Sequence, residues 1–133
     1  MSPVLQPLET RFKVEFWKSP TGNMPVADWV ERQEEAAVKK IMKRLEYLET
    51  YGPSQLVRAS LLEKFKGSAL YEICIDFGKI WYRILLVVVG SVAWLLHAFI
   101  KKSNGTPPKE IDIAMGRYEL LIASLRKEQK LWS

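Results

Sequence analysis

At 133 residues the chain has room for one domain with a substantial hydrophobic core, and too little for two. Its composition, 48% hydrophobic and 26% charged, excludes general disorder. A formal charge of +5 and a pI near 9.4 point to a polyanionic or acidic partner: nucleic acid, a ribosome or an acidic protein segment.

The single cysteine, Cys74, excludes an internal disulfide and a zinc site built on a cysteine cluster, and it fits a reducing compartment. The opening MSPVLQPLETRFKVEF contains no apolar stretch of signal-peptide length, so a cytoplasmic location is expected. Residues 1–10 carry two prolines and no periodicity, and read as a flexible lead-in to a single domain over 11–133.

Phe12-Lys13-Val14-Glu15-Phe16 alternates apolar and polar residues, the pattern of a half-buried strand. The turn cluster Ser19-Pro20-Thr21-Gly22-Asn23 follows, and Pro25 suits the first turn of a short helix through Val30. Val38, Ile41, Leu45 and Leu48 recur at steps of three and four, predicting a second helix from about Glu34 to Tyr51, stopped by Gly52-Pro53. Residues 54–69 read as a connector. Beyond it, Tyr71, Ile73, Ile75 and Phe77 alternate with Leu70, Glu72, Cys74 and Asp76 in a strand.

Apart from Ser91 and His97, residues 84–99 are apolar, a run just short of the roughly 18 that would flag a membrane-spanning helix. Gly90-Ser91 splits it into two β-branched and aromatic halves, so two buried strands joined by a tight turn explain it better. A polar loop, KKSNGTPP, leads to a final helix from Lys109 to about Lys130, with Ile111, Ala114, Leu121 and Leu125 as packing positions. The order of strand, two helices, three strands and helix predicts an α+β fold with a helix pair on an antiparallel sheet.

The stretch LEKFKGSALYEICIDFGKIWYRILL, followed by LLHAFIKKSNGTPPKEIDIA, resembles the RelE/ParE superfamily of toxins, and within it the phage-derived HigB-like branch. The shared features, in order, are a Lys-rich segment ending in Gly, Leu-aromatic-Glu, Tyr-Arg-Ile, Leu-His-x-Phe-x-Lys-Lys, Thr-Pro and Glu-Ile-x-x-Ala. The resemblance spans roughly residues 12–115. It implies a RelE-like fold and the toxin of a type II toxin–antitoxin system that cleaves mRNA on the ribosome without a cofactor or a metal. It also implies an antitoxin partner with a helix-turn-helix domain. The alternative within the superfamily is an interaction protein with weak or no nuclease activity that binds an antitoxin or DNA gyrase.

Cleavage by the 2′-hydroxyl requires that hydroxyl to be activated, the phosphorane to be stabilised and the leaving 5′-oxygen to be protonated. By resemblance the catalytic candidates are Arg83, Glu72 and Lys102, with Lys64, Lys66 and Lys101 as RNA-binding groups. A guanidinium suits bidentate contact with phosphate; a structural Arg83 would instead pair with Glu72 or Asp76. His97, the one histidine, lies in an apolar strand and reads as a packed, hydrogen-bonded residue rather than an acid or base. The tryptophans could stack bases, but Trp17, Trp29, Trp81 and Trp94 suit the core or an interface better, and Trp132 has no evident task. Two departures from the family stand out. Cys74 occupies a position where Arg or Lys is common, and no Tyr stands between Thr106 and Ile111.

Overall fold

A computed structural model describes residues 4–132, with side chains to Gln129. The elements are β1 (Lys13–Phe16), α1 (Pro25–Glu31), α2 (Glu35–Arg58), β2 (Leu62–Lys64), β3 (Leu70–Phe77), β4 (Ile80–Val89), β5 (Val92–Lys101) and α3 (Pro108–Trp132). They build a RelE-like α+β domain around one five-stranded sheet of order β1-β5-β4-β3-β2.

The hairpins follow from their turns. Phe77 pairs with Ile80 across Gly78-Lys79, and Val89 with Val92 across Gly90-Ser91. Both glycines have φ of +63°, the left-handed region that two-residue hairpin turns demand and that side chains resist.

The expected helix pair covers one face of the sheet, and α3 covers the other. Val26, Val30, Ile41, Leu45 and Leu48 pack with Ile73, Ile75, Ile84 and Leu86 on the first face. Ala114 and Leu121 pack with Trp17, Leu70, Leu85, Val87, Leu96 and Phe99 on the second. Burial on both faces explains why Ile84–Val87 is continuously apolar rather than alternating. The run that raised the membrane question is thus the centre of the sheet. Among the described residues no helix is long and apolar enough to cross a membrane.

Three expectations need correction. The sheet is mixed, because β1 runs parallel to β5, Lys13 beside Val92 and Phe16 beside Leu95. Side-chain alternation reveals a strand but carries no information about its neighbour's direction. Gly52, with φ of +79°, does break the helix, yet Pro53 starts a new helical stretch that runs to Arg58. Proline is pre-set for a first turn as well as unfit to continue an old one. The connector therefore holds this helical stretch and the short edge strand β2, which pairs antiparallel with β3.

The lead-in is also tied down from Gln6 onward. Leu8 N–H donates to Thr50 O and Phe12 N–H to Glu49 O, each at 2.8 Å, while Gln6 and Gln55 exchange two hydrogen bonds. A Cβ at position 52 would come within 2.9 Å of Leu8 Cδ1, so glycine there also makes room for this segment.

Candidate nucleic-acid interface

Alternation along β3 sends Leu70, Glu72, Cys74 and Asp76 to the α3 face, and strand pairing then sets their neighbours. Across the sheet, Asp76, Trp81 and Lys101 form one row, and Cys74, Arg83 and Phe99 the next. Glu72, Leu85 and His97 form the third. α3 covers the deeper part of this face, and the rows nearest the Gly78 turn carry the charged groups.

Arg83 is only 8% exposed. Its Nη1 donates to Asp76 Oδ1 at 2.7 Å and to Tyr82 O at 3.0 Å, and its Nε has no partner. Asp76 is 60% exposed, so the pair has a buried cation and a wet carboxylate. Glu72 is fully buried. Its Oε1 accepts a hydrogen bond from Thr106 Oγ1 at 2.8 Å, and its Oε2 lies 3.6 Å from Lys101 Nζ. That second distance is an ion pair longer than a direct hydrogen bond. The Lys101 side chain is itself only 10% exposed. Thr106 thus ties the 102–107 loop down over the buried carboxylate.

Cys74 stands opposite Arg83 in the ladder, half-buried. Burial pushes its thiol above the ordinary value, outweighing the pull of Arg83, so it is neutral at neutral pH. Lys102, one residue past β5, is exposed.

The sequence-predicted residues therefore separate into two groups. Arg83, Glu72 and Lys101 share the α3-side face, Arg83 on Asp76 and Lys101 on Glu72, and Lys102 follows in the chain, exposed. Lys64 lies on the opposite face, its Nζ over the Tyr71 ring at 5.4 Å and bonded to the carbonyls of Phe65 and Ser68. It closes its own loop, and Lys66 sits exposed in that loop. Tyr118 packs into the α3-side core cluster. The side chain of Trp132 lies outside the described residues.

His97 reaches the α3 face through a β-bulge. The pairing slips between Leu85 and Leu86, so Leu96 and His97 both turn toward α3. Arg117 Nη1 lies 3.3 Å from Nδ1 and Glu110 Oε2 lies 3.2 Å from Nε2. Arginine can only donate, so Nδ1 accepts and the ring proton sits on Nε2, donating to Glu110. Arg117 also donates to Leu96 O at 2.8 Å and lies over the Trp17 ring. Neither Arg117 nor Thr106 stands out as a site residue in the sequence. The seven-residue spacing of Glu110 and Arg117, which places both on one helix face, is the signal that could have found Arg117.

Burial holds the His97 imidazole below its ordinary pKa, more than Glu110 raises it. In the unfolded chain the ring takes its proton near pH 6.5, in the folded chain only at lower pH. Between those values the unfolded state binds the extra proton, so stability falls as pH drops. The loss begins near pH 6.5 and is complete below the folded pKa. Urea denaturation at pH 7.5, 6.5 and 5.5 should show His97→Gln losing this part of the slope; equal slopes would remove His97 from the pH response.

A RelE-like domain with a cation–carboxylate cluster on its α3-side face is the class that this geometry defines. The family model for phage-derived Gp49-like proteins (DUF891) matches residues 28–119, more than two-thirds of the chain. The chain belongs to that family. No curated protein matches it. All of the cluster residues fall inside the matched span.

Proposed function

We propose that this Gp49-like protein is the toxin of a type II toxin–antitoxin pair and cleaves mRNA on the ribosome. The observation that carries the reading is the convergence of Arg83 and Lys101 on one sheet face, beside the exposed Lys102, in a chain of net charge +5. The family, associated with RelE-type toxins, supports it.

In this mechanism Arg83 grips the scissile phosphate, exchanging Asp76 for phosphate oxygens. As the 2′-oxygen bonds to phosphorus its proton passes to solvent; Lys101 adds a second positive charge to the phosphorane, and Lys102 protonates the leaving 5′-oxygen as the P–O5′ bond breaks. Glu72, fully buried, with Oε1 bonded to Thr106 and Oε2 3.6 Å from the Lys101 ammonium without a hydrogen bond, acts as a positioning residue for Lys101 rather than as a base. Lys64 and Lys66 contact RNA outside the cluster, at the β2 edge of the sheet. The partners are an antitoxin with a helix-turn-helix domain, the ribosome and mRNA; the location is cytoplasmic.

The test is cleavage of a defined mRNA by the purified chain, with and without programmed ribosomes. Cuts that require the ribosome are expected; a folded sample that cuts under neither condition sinks the nuclease reading.

A second reading, an interaction protein with little nuclease activity, is favoured by one observation. Both buried cations are already paired with carboxylates of the chain, and a neutral thiol stands opposite Arg83. Cys74→Arg separates the readings. A cation there joins Arg83 over the phosphate, and cleavage should rise about tenfold, a modest share of what one well-placed charge can supply. Unchanged cleavage in a folded variant would show that the thiol is not what limits the site.

A further inference from the structure

Among the described tryptophans only Trp81 is exposed, at 39%, while Trp17 is buried and Trp29 and Trp94 are half-buried. An indole has a large apolar surface, and the bland place for one in this fold is the core that β4 otherwise fills. Trp81 is instead set on the α3-side face at the uncovered end of β4. In the ladder it lies between Asp76 of β3 and Lys101 of β5, and Arg83 is the next residue of its strand on the same face. Lys79 and Lys102, both exposed, are its near neighbours in the turn and beyond β5.

Several aromatic rings of the fold are covered by a cation or by another ring. Lys40 sits over Phe77, Lys64 over Tyr71 and Arg117 over Trp17, while Trp29 packs edge-on to Tyr82. Among the described residues neither a cation nor another ring of this chain occupies the Trp81 indole. A partly exposed indole beside Lys101 in the ladder and two residues from both Lys79 and Arg83 in the chain, with Asp76 already bonded to Arg83, is complementary to a single nucleic-acid strand. The strand offers anionic phosphates for the cations and a flat base for the ring.

We propose that Trp81 is a base-stacking platform, which seats one unpaired base of the RNA strand next to the phosphate held by Arg83. The inference rests on the RNA reading above and adds a contact to it. Stacking tolerates any base, so Trp81 fixes the strand's position more than its sequence. The ring makes no bond to the reacting atoms; its effect is on how the strand is held.

The experiment is cleavage on programmed ribosomes, comparing the wild-type chain, Trp81→Ala and Trp81→Phe. The substrates are one mRNA and a set of copies carrying a single abasic nucleotide at successive positions around the cut. Trp81→Ala should lower cleavage efficiency by roughly 5- to 100-fold, with Trp81→Phe recovering most of it. One abasic position should weaken the wild-type chain by a similar factor and add nothing to Trp81→Ala, because both changes remove the same contact. Trp81→Ala cutting like wild type, or losing activity additively at every abasic position, overturns the platform. If Arg83→Ala abolishes cutting in that same series, the nuclease reading survives the platform's failure. No cutting by the wild-type chain overturns both. An exposed position tolerates truncation, and thermal melting of each variant separates a fold defect from a binding defect.

Discussion

Arg83→Ala is expected to lower ribosome-dependent cleavage by about 100-fold or more, the effect of deleting one donor aimed at a developing oxyanion. The structure makes this a clean deletion. Asp76, the partner left behind, is largely in water and can be solvated without Arg83, and Nε has no partner to lose. Only Tyr82 O forfeits a buried donor. Arg83→Lys should fall between, since an ammonium keeps the charge but cannot make the paired hydrogen bonds of a guanidinium. The measurement is single-turnover cleavage on programmed ribosomes, with urea denaturation to show that the variants fold. Wild-type rates in Arg83→Ala would leave Arg83 as no more than the structural partner of Asp76.

The second large effect is on stability. Glu72→Ala should destabilise the fold by about 3 kcal/mol, because it strands a buried Lys101 ammonium without its anion and leaves the Thr106 hydroxyl without an acceptor. Glu72→Gln should be milder, since its amide oxygen can still accept from Thr106. Removing both charges, as Glu72→Leu with Lys101→Met, should recover most of the loss, as apolar replacement of buried pairs often does. Urea denaturation of the three variants beside the wild-type chain checks this. A loss under about 0.5 kcal/mol in Glu72→Ala would mean that Lys101 swings out to water, and that the carboxylate does not hold it.

Much of the architecture was legible because single residues carry strong local rules. Gly78 and Gly90 punctuate the meander, and the stripe through Ile41, Leu45 and Leu48 defines the long helix. What escaped was set by partners rather than by pattern. Three residues, Leu62–Lys64, are too few to display alternation, and β1 gives no sign that it will run parallel to β5. The same distinction holds in the site. Arg83, Glu72 and Lys101 are visible as charges inside or at the ends of apolar strands, and Asp76 as a possible partner for Arg83. Thr106 and Arg117 have ordinary surroundings in the chain and acquire partners only when the 102–107 loop and α3 fold back over β5. Lys64 looked equivalent to Lys101 in sequence, yet strand alternation puts it on the other side of the sheet. Trp81 shows the reverse case: of the core and interface places that suit a tryptophan beside an apolar strand, its exposure excludes the core.

The pairing of β1 with β5 imposes an order on how the protein is made. Lys13 leaves the ribosome early, but Val92, its partner, emerges only after α1, α2, β2, β3 and β4 have been synthesised. Domains acquire structure as their segments emerge, at roughly 5–20 residues per second, so β1 waits several seconds with no edge to join. A nascent chain that stops between residues 89 and 92 can form the α2 helix and the β3–β4 hairpin, yet it lacks the strand that joins β1 to the rest of the sheet. Lys101 belongs to that same last strand. Completion of the sheet and arrival of the second buried cation are therefore one event, and no product terminated before Lys101 carries the assembled cluster.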